Sequence, residues 1–444
     1  MNSKYVKQGD YFLVDKNNQK YVLEAIKNGA IKIISELKKE YSVETIFTDN
    51  IKKYIYKYYY DKIKNLKLIG ITGTNGKTTT CYLIYQMLNM LGVKSCYIGT
   101  IGCYMNDKII TLDNTTPSID TLYNLLLDAK ENNCEIVVME VSSHALKQDR
   151  VYGLLFDAIG VTNITQDHLD YHKSINDYIE CKKLLTKKLK GNKICILNKK
   201  DKYYKRFKNR KNHNYIIGKD IKIKKIKTSL KNTNLTFKDD KKYNVDLSLV
   251  GKFNVFNYLM AYKIIKELNF KINLLIKNAV MFEEPKGRMQ KIIYNDNVIF
   301  IDYAHTPDAV LNVLKTIKKI ENSGIITIIG CGGNRDKTKR PIMGKIACKY
   351  SSHVIFTNDN PRFEDEKQII EDIIAGVKGK YEVIYNRHDA IKKGIKLLKN
   401  NMILMILGKG HEDYQIIGKE KLHFSDFEEV TNIICKKAII KKDQ

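Results

Sequence analysis

The segment Thr72-Gly-Thr-Asn-Gly-Lys-Thr-Thr-Thr80 has the residue types and order needed to hold a nucleotide triphosphate. Gly73 and Gly76 let backbone N–H groups approach phosphate oxygens, with Thr74, Asn75 and Thr79 completing the expected cradle. A helix opening here adds partial positive charge; Lys77 can reach the β and γ oxygens, and the Thr78 hydroxyl can ligate magnesium. The strict phosphate-loop pattern wants glycine five residues before Gly76, where this chain has Ile71, so the loop is a variant. A second polar cluster lies downstream. The apolar run Ile136 to Met139 delivers Glu140, 63 residues after Lys77, where an acid can share the cation of Thr78. The next such run ends in Thr162 to His172, with two histidines and two aspartates. Asn198-Lys199-Lys200-Asp201 matches a guanine-reading pattern, yet no Asp-x-x-Gly switch follows the phosphate loop, and Thr74-Asn75 is unlike the loop of GTPases. The chain therefore spends ATP or GTP, with ATP preferred.

These residues need strands to end where they begin. From Leu66 onward, strand-like runs (Leu66 to Ile71, Ile136 to Met139, Phe156 to Val161, Ile194 to Leu197) alternate with helical patterns (Thr78 to Leu91, Ile119 to Asn132). This alternation predicts a parallel, doubly wound α/β sheet that binds its ligand at the carboxyl ends of the strands. A second series, Val298 to Ile301, Ile325 to Ile329, His353 to Phe356 and Met402 to Leu407, is followed each time by a loop rich in Gly, Asp, Asn or His. Residues 1–66 read as a small leading domain with short elements at Tyr11 to Val14, Val22 to Ala30 and Ile31 to Glu36. The expected division is 1–66, 67–284 and 285–444, with Gly251 to Glu267 a loop and helix and Glu283 to Gly287 the linker.

At 444 residues and 43% hydrophobic, the chain can bury several cores. No apolar run approaches the ~20 residues of a membrane span, and no export signal is visible. Nine scattered cysteines without a Cys-x-x-Cys pair suit free thiols in a reducing cytoplasm. The net charge of +28 raises nucleic-acid binding, above all at Lys199 to Lys227 with its interspersed Tyr203, Tyr204 and Phe207. Against this, lysines outnumber the eight arginines throughout, alongside abundant Ile, Asn and Tyr and no Trp. That bias reads as drift toward A- and T-rich codons that leaves solvated lysines on many surfaces. No nucleic-acid partner is expected. Against the same drift, all five prolines and Arg150, Arg288, Arg335, Arg340 and Arg362 persist in or beside the polar loops.

Nine ordered segments together resemble the Mur ligases, the ATP-dependent amide-forming enzymes of peptidoglycan synthesis. They are Thr72 to Thr78, Thr115-Thr-Pro117, Glu140-Val-Ser-Ser-His144, Asp167-His-Leu-Asp-Tyr-His172, Gly287-Arg288, Asp302-Tyr-Ala-His-Thr-Pro307, Gly332-Gly-Asn-Arg-Asp336, Asp359-Asn-Pro-Arg362 and Gly408-Lys-Gly-His-Glu412. The resemblance implies three domains: a small N-terminal α/β domain for the UDP end of a substrate, a central ATPase with a mostly parallel sheet, and a C-terminal Rossmann-like domain for an amino acid. It implies a cytoplasmic, monomeric enzyme of cell-wall biogenesis. The reaction implied joins meso-diaminopimelate to the D-glutamate side-chain carboxyl of UDP-MurNAc-L-Ala-D-Glu through an acyl phosphate.

Carried over position by position, the resemblance makes Lys77, Thr78 and Glu140 the phosphate and first magnesium contacts. His168 becomes a second-metal ligand and Lys182 a lysine carbamylated by carbon dioxide, with Lys183 adjacent. Asn257, Asp302 and His305 join the ATP site, and Arg288 meets the γ-phosphate. Ser3, Thr115, Thr116, Ser142, Gln148 and Arg150 hold the muramoyl dipeptide. Arg335, Asp359, Asn360, Arg362, Gly408 and Glu412 form the diaminopimelate pocket, where an arginine suits a distal carboxylate and an acid suits a distal ammonium. Set against the family, which has Asp-Ser-Arg where this chain has Asn2-Ser3-Lys4, the leading domain is expected to be short by about one strand, which leaves the uracil contacts open. Two alternatives remain: the same reaction with L-lysine, and a basic, nucleotide-regulated RNA- or GTP-binding protein.

Overall fold

The computed structural model describes residues 3–168, 171–321 and 324–440. Asn2, Leu169, Asp170 and the last residues of the lysine-rich tail lie outside them. A small parallel sheet comes first, of β1 (Tyr11–Val14), β2 (Lys32–Ser35) and β3 (Glu44–Phe47). Its core is slight, built from Phe12, Val14, Val22, Ala25 and Ile33. The tyrosine-rich run after it is a helix, Ile51–Ile63, whose N-cap Asn50 accepts from Lys53 N–H. It seats Ile55 and Ile63 against the helix Ile119–Glu131, with Tyr59 and Tyr123 rings 5.6 Å apart.

The central sheet contains β4 (Lys67–Thr72), β5 (Ser95–Gly99), β6 (Gly102–Met105), β7 (Lys108–Ile110), β8 (Ile136–Glu140), β9 (Phe156–Val161), β10 (Leu189–Asn198) and β11 (His213–Ile217). Their order is β11-β10-β9-β4-β8-β5-β6-β7. Pairing is parallel from β11 to β5, and β6 and β7 turn antiparallel at one edge. The strands β4, β8 and β9 are apolar on both faces because helices cover both. Lys77–Met90 and Lys252–Glu267 pack on one side, and Ile119–Glu131 and Ile175–Lys183 on the other. The sequence-read elements hold to within about two residues here, except that β10 starts at Leu189, five residues before the expected Ile194. The β5 to β7 extension was not foreseen, since its short runs carry no helix between them. The lysine-rich stretch continues into an antiparallel sheet of β12 (Lys222–Thr228), β13 (Thr233–Lys238) and β14 (Lys242–Leu247). Its period-2 burial sends Leu235, Phe237, Val245 and Leu247 inward and leaves lysines in water on the edge strand β12.

The last sheet holds β15 (Gln290–Tyr294), β16 (Asn297–Asp302), β17 (Ile325–Ile329), β18 (His353–Phe356), β19 (Glu382–Val383) and β20 (Ile403–Leu407), in the order β15-β16-β20-β17-β18-β19. All pairs but β15–β16 are parallel. Alternate side chains of these isoleucine-rich strands meet Pro307–Ile320, Lys339–Tyr350 and Glu366–Ile374 on one face, and Arg387–Leu397 and Asp426–Ile440 on the other. A hairpin of β21 (Tyr414–Ile417) and β22 (Glu420–His423) folds back onto the loop after β18. No helix among the described residues is long and apolar enough to cross a membrane.

Candidate active site

Three neighbouring strands, β9, β4 and β8, end together and place the phosphate loop between Glu140 and the Thr162 to His168 loop. Gly73 has φ 144°, and an added Cβ would lie 1.9 Å from the Thr162 hydroxyl oxygen. Gly76 has φ 85° and packs against Asn257, so neither position admits a side chain. The loop is pinned by Thr74 N–H donating to Asn163 O at 2.7 Å and Asn75 N–H to Asn163 Oδ1 at 3.0 Å. Lys77 Nζ donates to the carbonyls of Gly73 and Thr74 at 3.0 and 2.9 Å, and desolvation lowers its pKa from the usual lysine value.

Glu140 is fully buried. Its Oε1 accepts from Tyr97 O–H at 2.7 Å and Thr100 N–H at 2.8 Å. Its Oε2 accepts from Thr78 O–H at 3.1 Å and Thr100 O–H at 3.2 Å. Among the described residues no cationic side chain pairs with it, although unpaired buried carboxylates are costly. Nor do three His, Cys, Asp or Glu side chains converge anywhere among them as a protein-only metal cage. One buried carboxylate beside one hydroxyl at a phosphate loop fits magnesium, which keeps waters and takes substrate phosphate oxygens for its remaining ligands.

Lys182 and Lys183 part company. Lys182 is buried, donates to Gly73 O at 2.9 Å, and lies 4.7 Å over the Tyr178 ring. Burial, with the charge of Lys77 adding to it, takes the Lys182 pKa well below the ordinary lysine value. Lys183 turns outward to Glu180 at 3.4 Å. His168 has φ 53° and faces Asp167, with 3.4 Å between Nε2 and Oδ2. Burial alone would raise the Asp167 pKa, but His168, His305 and Lys77 outweigh it and leave the carboxyl below its usual range.

A cavity of about 640 Å³ is lined by the phosphate loop, Glu140, Asn257, Arg288, Asp302 and His305. A second, of about 800 Å³, is lined by Thr115, Thr116, Ser142, Arg150, Arg335, Asp359, Asn360, Arg362, Gly408 and Glu412. Thr115, Asp167, His168, Tyr303 and His305 line both, so the two spaces share a wall. Arg288 donates to the Thr78 hydroxyl at 3.4 Å, and its guanidinium carbon lies 4.7 Å over the Tyr303 ring. Asp302 accepts from Met289 and Ala304 N–H, and burial raises its pKa. His305 Nδ1 is 2.7 Å from Tyr303 O, and burial lowers its pKa to about 4.

On the second cavity, Thr116 O–H donates to Glu140 O at 2.8 Å, and Arg150 donates to Thr116 O at 2.6 Å and Gln148 Oε1 at 2.9 Å. Gln148 backs Arg150 without lining either cavity. Ser3 lines neither: it is buried in the leading domain, its hydroxyl given to Glu24. Across the wall, the ends of β16, β20, β17 and β18 bring Arg335, Asp359, Asn360, Arg362 and Glu412 into one pocket. Arg362 has φ 55° and donates to Gly333 O at 2.8 Å; the nearby helix Glu366–Ile374 is capped by Asp365 instead.

The guanine-reading tetrapeptide lines the first cavity, but both Asp201 oxygens accept backbone N–H groups, of Tyr203 at 2.7 Å and Ile164 at 2.5 Å. Its carboxylate is occupied in bracing the loops. Sequence reasoning missed Tyr303, His411 and Lys409, which sat inside quoted motifs without a role. Tyr303 lies between His305 and His411, edge-on to the first at 4.5 Å and tilted to the second at 4.7 Å, and offers its hydroxyl to Glu412 Oε1 at 3.4 Å. Arg340 and Arg387 are buried structural cations, paired with Asp372 and Glu364 and with Asp426.

Comparison with known proteins agrees with this arrangement. Residues 71–265 match the family described as Mur ligase middle domain, and residues 287–410 match the Mur ligase, glutamate ligase domain. A protein of Aquifex aeolicus named UDP-N-acetylmuramoyl-L-alanyl-D-glutamate–2,6-diaminopimelate ligase is 40% identical over 461 residues, covering 100% of this chain and 94% of its own. A Bacillus cereus protein of the same name is 37% identical and covers 98% and 92%. A solved structure of a ligase of that name is 30% identical with a TM-score of 0.68, covering 99% of this chain and 94% of its own. The ADP complex of a MurF ligase from Thermotoga maritima, 18% identical with a TM-score of 0.71 and covering 99% and 97%, shares the fold.

Proposed function

The chain belongs to the Mur ligase family, and from that premise we propose that it joins meso-diaminopimelate to the D-glutamate side-chain carboxyl of UDP-MurNAc-L-Ala-D-Glu, spending ATP. The observation that carries this reading is the shared wall: a cavity lined by the phosphate loop and a cavity lined by arginines and acids meet at Thr115, Asp167, His168 and His305. The relatives' names agree with it. The proposed division of labour is 1–66 for the UDP end, 67–284 for ATP and 285–444 for the amino acid. A reducing, cytoplasmic setting suits its free cysteines, and the proposed unit is a monomer.

A carboxylate resists amines until one oxygen becomes a leaving group. In the proposed reaction a D-glutamate carboxylate oxygen attacks the γ-phosphorus, the β–γ bridging bond breaks, and ADP departs. Lys77, Arg288 and the loop N–H groups hold the phosphates and balance charge spreading over the transferred group. Thr78 and Glu140 would hold magnesium, which neutralises phosphate charge when bound. With its pKa held well below the ordinary lysine value by burial, the Lys182 amine is suited to add carbon dioxide and release a proton, which would replace a buried cation with an anionic oxygen group able to serve as a metal ligand. The diamino acid's free amine then attacks the acyl carbon, the carbon–oxygen bond to phosphate breaks, and the amine proton is lost. Arg335 and Arg362 suit the substrate's distal carboxylate, while Asp359 and Glu412 suit its distal ammonium.

The test is phosphate release with the muramoyl dipeptide and each amino acid in turn. Meso-diaminopimelate should support turnover far better than L-lysine, and isotopic oxygen in the dipeptide's carboxyl should reach the released phosphate. Preference for L-lysine would overturn the reading of Arg362; absence of label in phosphate would overturn the acyl phosphate.

A further inference from the structure

Behind the amino-acid pocket, Lys409 is wholly buried and lines neither cavity. Its Nζ donates to Asn360 Oδ1 at 3.2 Å and to the Tyr414 carbonyl, and lies 3.7 Å from Asp359 Oδ1 and 3.6 Å from Glu412 Oε2. Asp359 Oδ1 is buried without a hydrogen bond, so Lys409 is the charge nearest it. Glu412 also receives Asn360 N–H at 2.8 Å and the Tyr303 hydroxyl. Burial first, then the neighbouring Asp359, raises the Glu412 pKa. A neutral amide could make both hydrogen bonds of Lys409. An ammonium buried there costs several kcal/mol of desolvation, which two carboxylates can offset and two neutral oxygens cannot.

We infer that Lys409 is a positioning residue for the incoming diamino acid: its ammonium, within 4 Å of both acids, keeps Glu412 ionised beside Asp359 and both turned toward the pocket, so that together they receive one substrate ammonium. The inference rests on the proposed reaction. The geometry behind it is simple. Two acids beside one buried cation leave one negative charge at the pocket floor, matched to one ammonium, whereas without that cation Glu412 beside Asp359 would hold its proton more tightly and bind the ammonium poorly. The other groups facing Glu412 are Arg362, Tyr303, Tyr414, the neutral His411 and Arg387, whose own charge is neutralised by Asp426. Among the described residues, none of these is a cation within 4 Å of both acids, as Lys409 is.

The experiment is phosphate release at varied meso-diaminopimelate from pH 6.5 to 9.5 for the unaltered enzyme, Lys409→Gln and Lys409→Met. Gln keeps donors for Asn360 and the Tyr414 carbonyl while deleting the charge. Both variants should raise KM for the diamino acid at least tenfold at pH 7, with the excess shrinking as pH rises and Glu412 deprotonates. The KM for ATP should stay within threefold. A normal KM in Lys409→Gln, an increase equal at every pH, or failure of both variants to fold would make Lys409 a structural residue and overturn the inference. If the unaltered enzyme turned over a different amino acid, the proposed substrate would fail instead, a result separate from any variant's.

Discussion

Glu140→Gln separates metal binding from folding because of how the carboxylate is shared. Tyr97 O–H and Thr100 N–H both donate to Oε1, and the backbone N–H cannot reverse its role. The partners of Oε2, Thr78 and Thr100, are hydroxyls that can turn and accept. A glutamine therefore places its oxygen at Oε1 and its NH₂ at Oε2. Every hydrogen bond survives, and folding stability should change by only about 1 kcal/mol. The same choice aims an NH₂ past Thr78 toward the phosphate loop and removes the buried carboxylate charge that Thr78 shares. Two unit charges about 4 Å apart interact by about 4 kcal/mol at an effective dielectric near 20, roughly a thousandfold in an equilibrium. Allowing for the amide dipole and for water around the ion, kcat/KM should fall about a hundredfold and half-saturating magnesium should rise at least tenfold. The assay is phosphate release across a magnesium titration with ATP varied and the other two substrates saturating, alongside a thermal melt. If kcat/KM and the magnesium requirement both stay within threefold of the unaltered enzyme, Glu140 is a bracing residue and the metal assignment is wrong.

Lys182→Arg should abolish turnover, and bicarbonate should restore activity to unaltered enzyme depleted of carbon dioxide; near-normal turnover of the variant would sink the carbamate. Arg362→Ala removes a charged partner worth about 1.5–3 kcal/mol, so kcat/KM for meso-diaminopimelate should drop roughly ten- to a hundredfold while L-lysine, without the distal carboxylate, is little affected. Asp426→Asn leaves the buried Arg387 guanidinium without its bidentate partner at 2.7 Å, and denaturant titration should find a loss of about 3–5 kcal/mol. His305 and His411 have folded pKa values lowered by burial to about 4 and about 3, below the unfolded value near 6.5. Because the unfolded chain then binds more protons, stability is complete above pH 6.5 and declines as pH falls toward 4. Melting temperatures measured over that range should fall, and less steeply in His411→Asn.

The phosphate loop was legible from the sequence because its chemistry is local: a strand, two glycines that must lack a Cβ, a lysine and a hydroxyl within a few residues. The buried strands were legible because sheets covered on both faces demand unbroken apolar runs such as Ile325–Ile329 and Ile403–Leu407. The antiparallel additions at β5 to β7 and β12 to β14 were less visible, since their burial depends on which face meets the rest of the molecule. Lys182 and its neighbour Lys183 are indistinguishable as letters; only the seating of the helix Ile175–Lys183 against Gly73 buries one and exposes the other. Asp201 carries a guanine-reading signature until the fold commits both its oxygens to backbone N–H groups. Sequence alone determined which chemical groups this protein carries and that strand ends would present them. The tertiary structure decided which of those groups face a cavity and which are consumed in holding it open, because burial and hydrogen-bond partners come from segments tens to hundreds of residues apart.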